Sequence, residues 1–248
     1  PEKSKAFTLG TAIQPNRNTL FTVDYWRIHL TKQINEFPEQ TVFSDLTKYG
    51  NRIIRCNQLT ATDAGNWERC LVVPGAANAS NAIAYIRTLT DNLGDVKTDG
   101  IDLTAAWSTP MGSMGRLTVN YDLTWINSYK YQRTPDSEFV QNVGMYVDAS
   151  PVFRSKHFLS AVLAGNSMRY SVALKHLSGY QDENLVADQY LNNVKSYTLV
   201  DAGVTYTGIK NVTVAFMIKN LLNEKPPFTN QGATFQQGYD PRYTDPLM

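Results

Sequence analysis

The stretch LTVNYDLTW, residues 117–125, alternates apolar and polar side chains from its first residue to its last. Successive side chains of a β-strand point to opposite faces of a sheet, whereas a helix repeats about every 3.6 residues. The stretch is therefore predicted to be a strand with one apolar and one polar face. The apolar face would carry Leu117, Val119, Tyr121, Leu123 and Trp125.

Seven further segments resemble this one, although some alternate less cleanly. The segments are 7–13, 21–25, 101–107, 158–164, 168–174, 200–206 and 212–218. Residues 158–164 are apolar but alternate poorly. The sequence thus predicts an all-β chain of about eight strands, some of them longer than the usual five or six residues.

The connections between these strands alternate in length. Short ones near 14–18, 108–115, 165–166 and 207–211 contain Pro, Gly, Asn and Ser, the usual turn residues. Long polar ones cover about 31–91, 131–150, 181–193 and 223 onward. An antiparallel up-and-down meander with this asymmetry is typical of an outer-membrane barrel. A secreted Greek-key sandwich is the alternative. Within the first long connection, residues 38–49 are predicted to form a short helix and 84–86 a short strand.

The charge balance argues against a nucleic-acid partner. The chain carries 23 Lys and Arg against 22 Asp and Glu, a net charge of +1, whereas nucleic-acid binding usually requires a clearly basic surface. A run of about 18 apolar residues is absent, which excludes a transmembrane helix. The composition does not exclude a transmembrane β-barrel, because the strands of such a barrel are short and half polar.

The sequence contains no recognisable catalytic set. It lacks a Gly-flanked serine elbow, a His–Glu pair at helical spacing and a Gly-rich phosphate loop. His29, His157 and His176 are scattered, and none lies near a cysteine, which disfavours a metal site. We therefore predict no enzyme activity, no cofactor and no metal.

Four short segments resemble the β-barrel of TonB-dependent outer-membrane receptors. VDYWRI at 23–28 is similar to a VDYW-I strand of these barrels, and NLG at 92–94 followed by TDGIDL at 98–103 is similar to their NLG…GID strand opening. KNLLNEKPP at 219–227 resembles the end of their penultimate strand, and YDPRY at 239–243 resembles the segment before the closing strand. Order and spacing agree over nearly the whole chain.

The resemblance implies that residues 1–248 are part of a large transmembrane β-barrel, with a long extracellular loop at about 31–91. Such receptors have about 22 strands and a plugged lumen. The plug domain, which contacts TonB, and the last strand have no counterpart in this sequence, so the chain is interpreted as a fragment. The strand at 7–13 is then expected not to pair with the strand at 212–218.

The resemblance also implies a function for the whole receptor. It would lie in the outer membrane of a Gram-negative bacterium and bind a scarce nutrient: a siderophore, a saccharide or a peptide. Import would use energy that TonB transmits to the absent plug. The implied partners are outer-membrane lipid, TonB and the nutrient. A passive porin, a small closed barrel and a secreted β-sandwich binding module remain alternatives.

Two cysteines, Cys56 and Cys70, lie in the longest loop. The resemblance places that loop outside the cell, where conditions are oxidising. The pair is therefore predicted to form a disulfide, which would stabilise the fold by roughly 3 kcal/mol in the chain-entropy account. Two buried free thiols are the alternative.

Aromatic side chains in the loops are the candidate ligand contacts, because loops on a rigid scaffold often carry binding function. The candidates are Trp67, Tyr85, Tyr131, Tyr180 and Tyr190. Ordinary loop packing is the alternative for each of them.

Three other groups have predicted positions. Aromatic residues near strand ends are predicted to form the interfacial girdles of a barrel: Tyr25, Trp26, Trp107, Trp125, Tyr129 and Tyr206. Polar strand residues are predicted to face the lumen: Asp102, Asn120, Asp122, Thr124, Arg169, Lys175, Asp201 and Lys219. Arg242, in the turn at 240–242, is predicted to bond a carboxylate.

Overall fold

The computed structural model describes residues 1–59, 70, 81–148, 150–183, 187–190, 192–230 and 238–244. The chain divides into two compact units. The loop unit comprises Pro1–Ser4, Leu30–Val96 and Tyr131–Val140, and the sheet unit comprises Lys5–His29, Lys97–Lys130 and Gln141–Met248. Among the described residues, no helix is both long and apolar enough to cross a membrane.

Strands dominate the described chain, together with two short helices, α1 (Glu39–Ser44) and α2 (Leu46–Tyr49). The strands are, in chain order, β1 (Lys3–Asn16), β2 (Thr19–Thr31), β3 (Ile34–Glu36), β4 (Ile53–Arg55), β5 (Ile83–Ile86), β6 (Thr90–Asn92), β7 (Val96–Pro110), β8 (Arg116–Gln132), β9 (Phe139–Gln141), β10 (Met145–Val147), β11 (Ser150–Pro151), β12 (Ser155–Ala164), β13 (Met168–Leu177), β14 (Tyr180–Glu183), β15 (Asn193–Val194), β16 (Tyr197–Ile209) and β17 (Val212–Ile218).

The long strands form one main sheet in the order β1-β2-β7-β8-β12-β13-β16-β17. The eight predicted segments all lie in these strands, which confirms the all-β meander. The strands are mostly longer than the predicted segments; β8 has 17 residues. Neighbouring strands in this order are hydrogen-bonded to each other. Short turns join β1 to β2, β7 to β8, β12 to β13 and β16 to β17. Within the main sheet, β8, β12, β13, β16 and β17 pair with their neighbours in antiparallel register.

The register keeps the two predicted faces separate. Val119 of β8 pairs with Ala161 of β12, which pairs with Val172 of β13, so apolar side chains adjoin across three strands. We call the face that carries Val119 the apolar face. The face that carries Asp122, with Asn120 and Thr124, is the polar face.

Side chains of the apolar face are not buried against a second sheet. Val214 and Phe216 are 55% and 63% exposed, and Tyr170 and Val172 about half exposed. In a β-sandwich this face would form the core between two packed sheets. The apolar face therefore does not support the sandwich alternative.

The main sheet is open. Strands β1 and β17 lie at opposite ends of the order of paired strands, and no pairing joins them in the described part of the chain. The expectation that these two strands do not pair is met. A barrel closed by these eight strands alone is therefore excluded for the described residues.

Short turns join the strands at one end of the sheet. The turn between β7 and β8 contains a 3₁₀ helix, Gly112–Met114, followed by Gly115. Gly115 has φ = +106°, and a Cβ at this position would collide with the Ala164 carbonyl oxygen. Only glycine combines this backbone conformation with such close approach of the neighbouring turn.

The long connections contain local structure of their own. The predicted helix at 38–49 is present, but it is divided into α1 and α2 at Asp45, which has an extended φ of −145°. The Asp45 carboxylate accepts a hydrogen bond from Lys48 N at 3.0 Å and so caps α2. The predicted strand at 84–86 lies in β5. Strands β3, β4, β6, β9–β11, β14 and β15 were not predicted, because two to four residues are too few to show alternation.

One predicted girdle residue lies on the other face. A Cβ on Gly100 would come within 2.5 Å of the Trp26 ring, and Gly100 shares the polar face with Asp102. Trp26 therefore lies on the polar face, while its neighbour Tyr25 lies beside Phe7 on the apolar face. The prediction for Trp26 was wrong because adjacent strand residues point to opposite faces.

Candidate functional site

Four aromatic side chains pack against one another in the sheet unit. Tyr146, Phe153, Tyr180 and Tyr243 make up this aromatic cluster. Phe153 contacts Tyr180 and Tyr243 edge-on, with ring centroids 5.6 Å and 5.1 Å apart. Tyr146 is 1% exposed. Edge-to-face pairs of this kind stabilise beyond the area that they bury.

An ion pair closes the cluster on the side of residues 238–244. Arg242 donates through Nε and Nη2 to the carboxylate of Asp240, at distances of 2.6 to 3.2 Å. The same Nη2 donates to the Tyr146 hydroxyl at 3.1 Å. The prediction that Arg242 bonds a carboxylate is confirmed, with Asp240 as the partner. Hydrogen bonding to Asp240 raises the pKa of Arg242, so the guanidinium stays charged.

A second buried carboxylate anchors the segment after β17. Asp182, which is 2% exposed, accepts hydrogen bonds from Thr229 Oγ1 at 2.5 Å and from Asn230 N at 2.7 Å. These contacts bridge 47 and 48 positions of sequence. Burial, and secondarily the nearby Asp240 carboxylate, raise the pKa of Tyr180 above its ordinary value. The phenol therefore stays neutral in this cluster.

The aromatic cluster leaves almost no free volume. A cavity of about 10 Å³ lies between Phe153, Tyr180, Tyr243 and Asp240, and such a space holds at most one water molecule. The cluster is thus a packed support for the loops around it. Tyr190, whose carbonyl accepts from Asn230 Nδ2 at 2.7 Å, is 66% exposed beside it.

The loop unit has its own small core of Phe37, Val42, Ile53 and Leu93. Arg52 covers this core: its guanidinium lies 3.9 Å from the Phe37 ring centroid. The same group donates to the Asp91 carboxylate at 2.7 Å. This hydrogen bond is the main reason that the pKa of Asp91 lies below its ordinary value.

The predicted disulfide is present in the loop unit. The sulfur atoms of Cys56 and Cys70 are 2.04 Å apart, with Cα atoms 5.7 Å apart. This distance is typical of protein disulfides. The alternative of two free thiols is therefore excluded.

An open groove of about 560 Å³ in the loop unit is lined by residues 85–90 and by Glu36. Within this lining, Thr88 Oγ1 donates a hydrogen bond to Glu36 Oε1 at 2.7 Å. Tyr85 and Arg87 line it. The volume falls within the range of small-molecule sites, although the groove is shallow and largely open to solvent.

The five candidate ligand contacts divide between the two units. Tyr85 lines the groove and Tyr131 is half-buried, both in the loop unit. Tyr190 is exposed in the sheet unit, whereas Tyr180 is 8% exposed and packs in the aromatic cluster. Trp67 lies outside the described residues. The ligand role of all five stays a prediction.

Sequence reasoning missed Tyr146 and Asp182, which the structure places in the most buried part of the sheet unit. Their partners Arg242 and Thr229 are 96 and 47 positions away. No local pattern could have indicated them, because the contacts depend on how the loops pack together.

The predicted polar face carries hydrogen-bonded side chains. Thr104 Oγ1 donates to Asp122 at 2.9 Å, and Lys175 lies 3.9 Å from Asp201. Trp26 Nε1 and one oxygen of Asp102 are buried on this face with no partner in the described residues. A polar group can lack a protein hydrogen-bond partner where it binds water or faces another polar surface. Nowhere in the described residues do three or more potential ligands cluster for a metal ion.

The sequence from residue 1 to 221 matches the model of a protein family described as "TonB dependent receptor-like, beta-barrel". No curated protein matches the chain significantly.

Several solved structures share the fold. A variant of the ferric enterobactin receptor of Pseudomonas aeruginosa matches with a TM-score of 0.57 and 12% identity, over 91% of this chain and 26% of that one. The FrpB iron transporter of Neisseria meningitidis matches with 0.54 and 11%, over 94% and 28%. The ferric yersiniabactin uptake receptor of Yersinia pestis matches with 0.50 and 13%, over 90% and 25%. The chain spans about a quarter of the length of these proteins.

Proposed function

Because the chain belongs to the TonB-dependent receptor β-barrel family, we propose that it forms part of an outer-membrane receptor that binds a scarce nutrient and imports it. Import uses energy that TonB transmits through a plug domain elsewhere in the receptor. The observation that carries this proposal is the family match over residues 1–221, on an open antiparallel sheet with separate apolar and polar faces.

The same proposal assigns the two faces. The apolar face lies against membrane lipid and the polar face lines the lumen, because lipid-facing and lumen-facing side chains alternate along barrel strands. The short turns lie in the periplasm and the long connections outside the cell. The disulfide fits either side of the membrane, since both periplasm and exterior are oxidising.

We propose a ferric siderophore as the nutrient. The three solved proteins named above are an enterobactin receptor, an iron transporter and a yersiniabactin receptor. Exposed aromatic side chains suit a ligand that combines rings with charge. Tyr85 in its groove and Tyr190 beside the aromatic cluster are the described contacts that we favour.

Uptake by cells that carry the complete receptor tests the transport proposal. Growth on a panel of ferric siderophores under iron limitation should depend on the receptor gene and on TonB. Double substitution Tyr85→Ala and Tyr190→Ala should weaken uptake, whereas Tyr206→Ala on the apolar face should not. Uptake that persists without TonB would identify a passive porin instead.

Labelling of whole cells tests the orientation. Leu89 is 71% exposed in a long connection, and Met114 is 57% exposed in a short turn. A membrane-impermeant maleimide should label Leu89→Cys in intact cells and Met114→Cys only after the outer membrane is opened. The opposite result would reverse the orientation.

A further inference from the structure

Two of the three histidines, although scattered in the sequence, lie side by side in the main sheet. His157 of β12 pairs directly with His176 of β13 in the antiparallel register. Their ring centroids are 5.3 Å apart, and the rings are arranged edge to face. Residues directly opposite each other on adjacent strands extend from the same face of a sheet. We call these two residues the histidine pair.

The histidine pair lies on the apolar face, because His157 also pairs with Leu123 of β8. It lies near the end of the strands that adjoins the long connections, since β12 begins at Ser155 and β13 ends at Leu177. Both histidines are half-buried, so each ring keeps some surface that solvent can reach.

A hydroxyl group on each flanking strand holds one nitrogen of each ring. The Tyr121 hydroxyl of β8 lies 2.8 Å from His157 Nδ1, and Thr198 Oγ1 of β16 lies 2.7 Å from His176 Nδ1. With the proton on Nδ1, each ring donates this hydrogen bond, and its Nε2 then carries a lone pair. Metal-binding histidines are oriented in the same way, through a hydrogen bond from the nitrogen that does not bind the metal.

The two Nε2 atoms can serve a shared ligand. His176 Nε2 has no hydrogen-bond partner within the described part of the chain. His157 Nε2 lies 3.0 Å from Ser155 Oγ, a neutral contact that a metal–nitrogen bond can replace. The neighbouring cations on these strands, Lys156 and Lys175, point to the polar face and therefore do not face the pair.

From this arrangement we propose that the histidine pair binds a divalent transition-metal ion through its two Nε2 atoms. Neutral imidazole nitrogen suits Zn²⁺, Cu²⁺ and Ni²⁺, whereas Mg²⁺ and Ca²⁺ prefer oxygen ligands. Among these ions, Cu²⁺ binds most tightly to a given set of nitrogen ligands.

The proposed site has two protein ligands, and water completes the coordination of the ion. It thus differs from a site with three or more protein ligands, which the described residues lack. A bound ion would link β12 to β13 beside the long connections. The proposal depends on the strand register and the ring contacts, and not on transport or on the nutrient.

Copper titration of the intact receptor, purified in nonionic detergent, tests the proposal. The substitutions His157→Gln and His176→Gln should each remove one equivalent of bound Cu²⁺. The electron paramagnetic resonance spectrum of that equivalent should show two nitrogen ligands. An excess of Zn²⁺ should displace it, and the same excess of Mg²⁺ should not.

The matched control is His29→Gln, which removes the remaining histidine of the chain and should leave copper binding unchanged. Thr198→Val keeps the branched side chain but removes the hydroxyl beside His176. It should weaken Cu²⁺ binding by about 10- to 100-fold, the usual effect of losing a hydrogen bond that orients a metal ligand. Heat-dependent electrophoretic mobility should show that all the variants fold.

Unchanged copper stoichiometry in either variant of the histidine pair would overturn the proposal. So would a spectrum with a single nitrogen ligand, or an equal loss of copper in His29→Gln. Nutrient uptake is measured separately, so failure of the transport proposal would leave the copper result unaffected.

Discussion

At the scale of single residues, Arg52 contacts both the Phe37 ring and the Asp91 carboxylate of the loop unit. It stacks on Phe37 and donates to Asp91. The folded-state pKa of Asp91 lies below its ordinary value, mainly because of this hydrogen bond. The ion pair therefore stabilises the loop unit above the ordinary pKa of Asp91, and this contribution is lost as the pH falls through the lowered value.

Asp91→Asn tests this pH dependence. We expect the variant to be less resistant to proteolysis in the loop unit at neutral pH. In acid the two proteins should converge, because Asp91 is then protonated in both states. Asp136→Asn is the control: its partner Lys48 and the carboxylate itself are 47% and 78% exposed, and such pairs contribute little. A difference that persists unchanged in acid would contradict the prediction.

Arg242 has a different role, because its partner Asp240 is 2% exposed. Arg242→Gln leaves a buried carboxylate without its countercharge, which costs about 3 kcal/mol. Faster hydrogen exchange in residues 238–244 should report the loss. The double variant Arg242→Gln with Asp240→Asn should recover part of it, since no buried charge then remains unpaired. A double variant worse than the single one would contradict this account.

At the scale of the strand, adjacent residues of β8 point to opposite faces of the sheet. Val119 lies on the apolar face and Thr118 on the polar face. In the assembled barrel, Val119→Arg should lower the free energy of unfolding by about 2–4 kcal/mol if it lies near the membrane midplane. Thr118→Arg should cost much less, because the lumen is polar. Urea titration in lipid vesicles measures both, and equal costs would contradict the assignment of the faces.

At the scale of the whole molecule, the main sheet has two edges, β1 and β17, to which no further strand pairs among the described residues. Strand β17 exposes Val214 and Phe216 along one of them. Exposed apolar edges promote association with other strands. The isolated 248-residue chain in detergent should therefore form oligomers, as measured by light scattering after size-exclusion chromatography.

Phe216→Lys should reduce this association, because a charged residue protects an edge strand. The control is Phe21→Lys, which adds the same charge to the apolar face of β2, a strand paired on both sides. Reduction by both variants alike would show that the apolar face, rather than the edge, drives association. A monodisperse monomer of the unmodified chain would contradict the prediction altogether.

Local pattern in the sequence was enough to determine the strands, the turns that join them and most of the division into faces. The side chains of a strand alternate every two residues, which is a local pattern. Segments such as 117–125 and 212–218 could therefore be identified without knowing which strands they pair with. The disulfide followed from the position of Cys56 and Cys70 in one loop. The tertiary structure decided the order of paired strands, the open edges, the burial of Tyr180 and the contacts of Tyr146 and Asp182. These features depend on contacts between residues that are distant in sequence. Such contacts produce no repeating pattern in the local sequence.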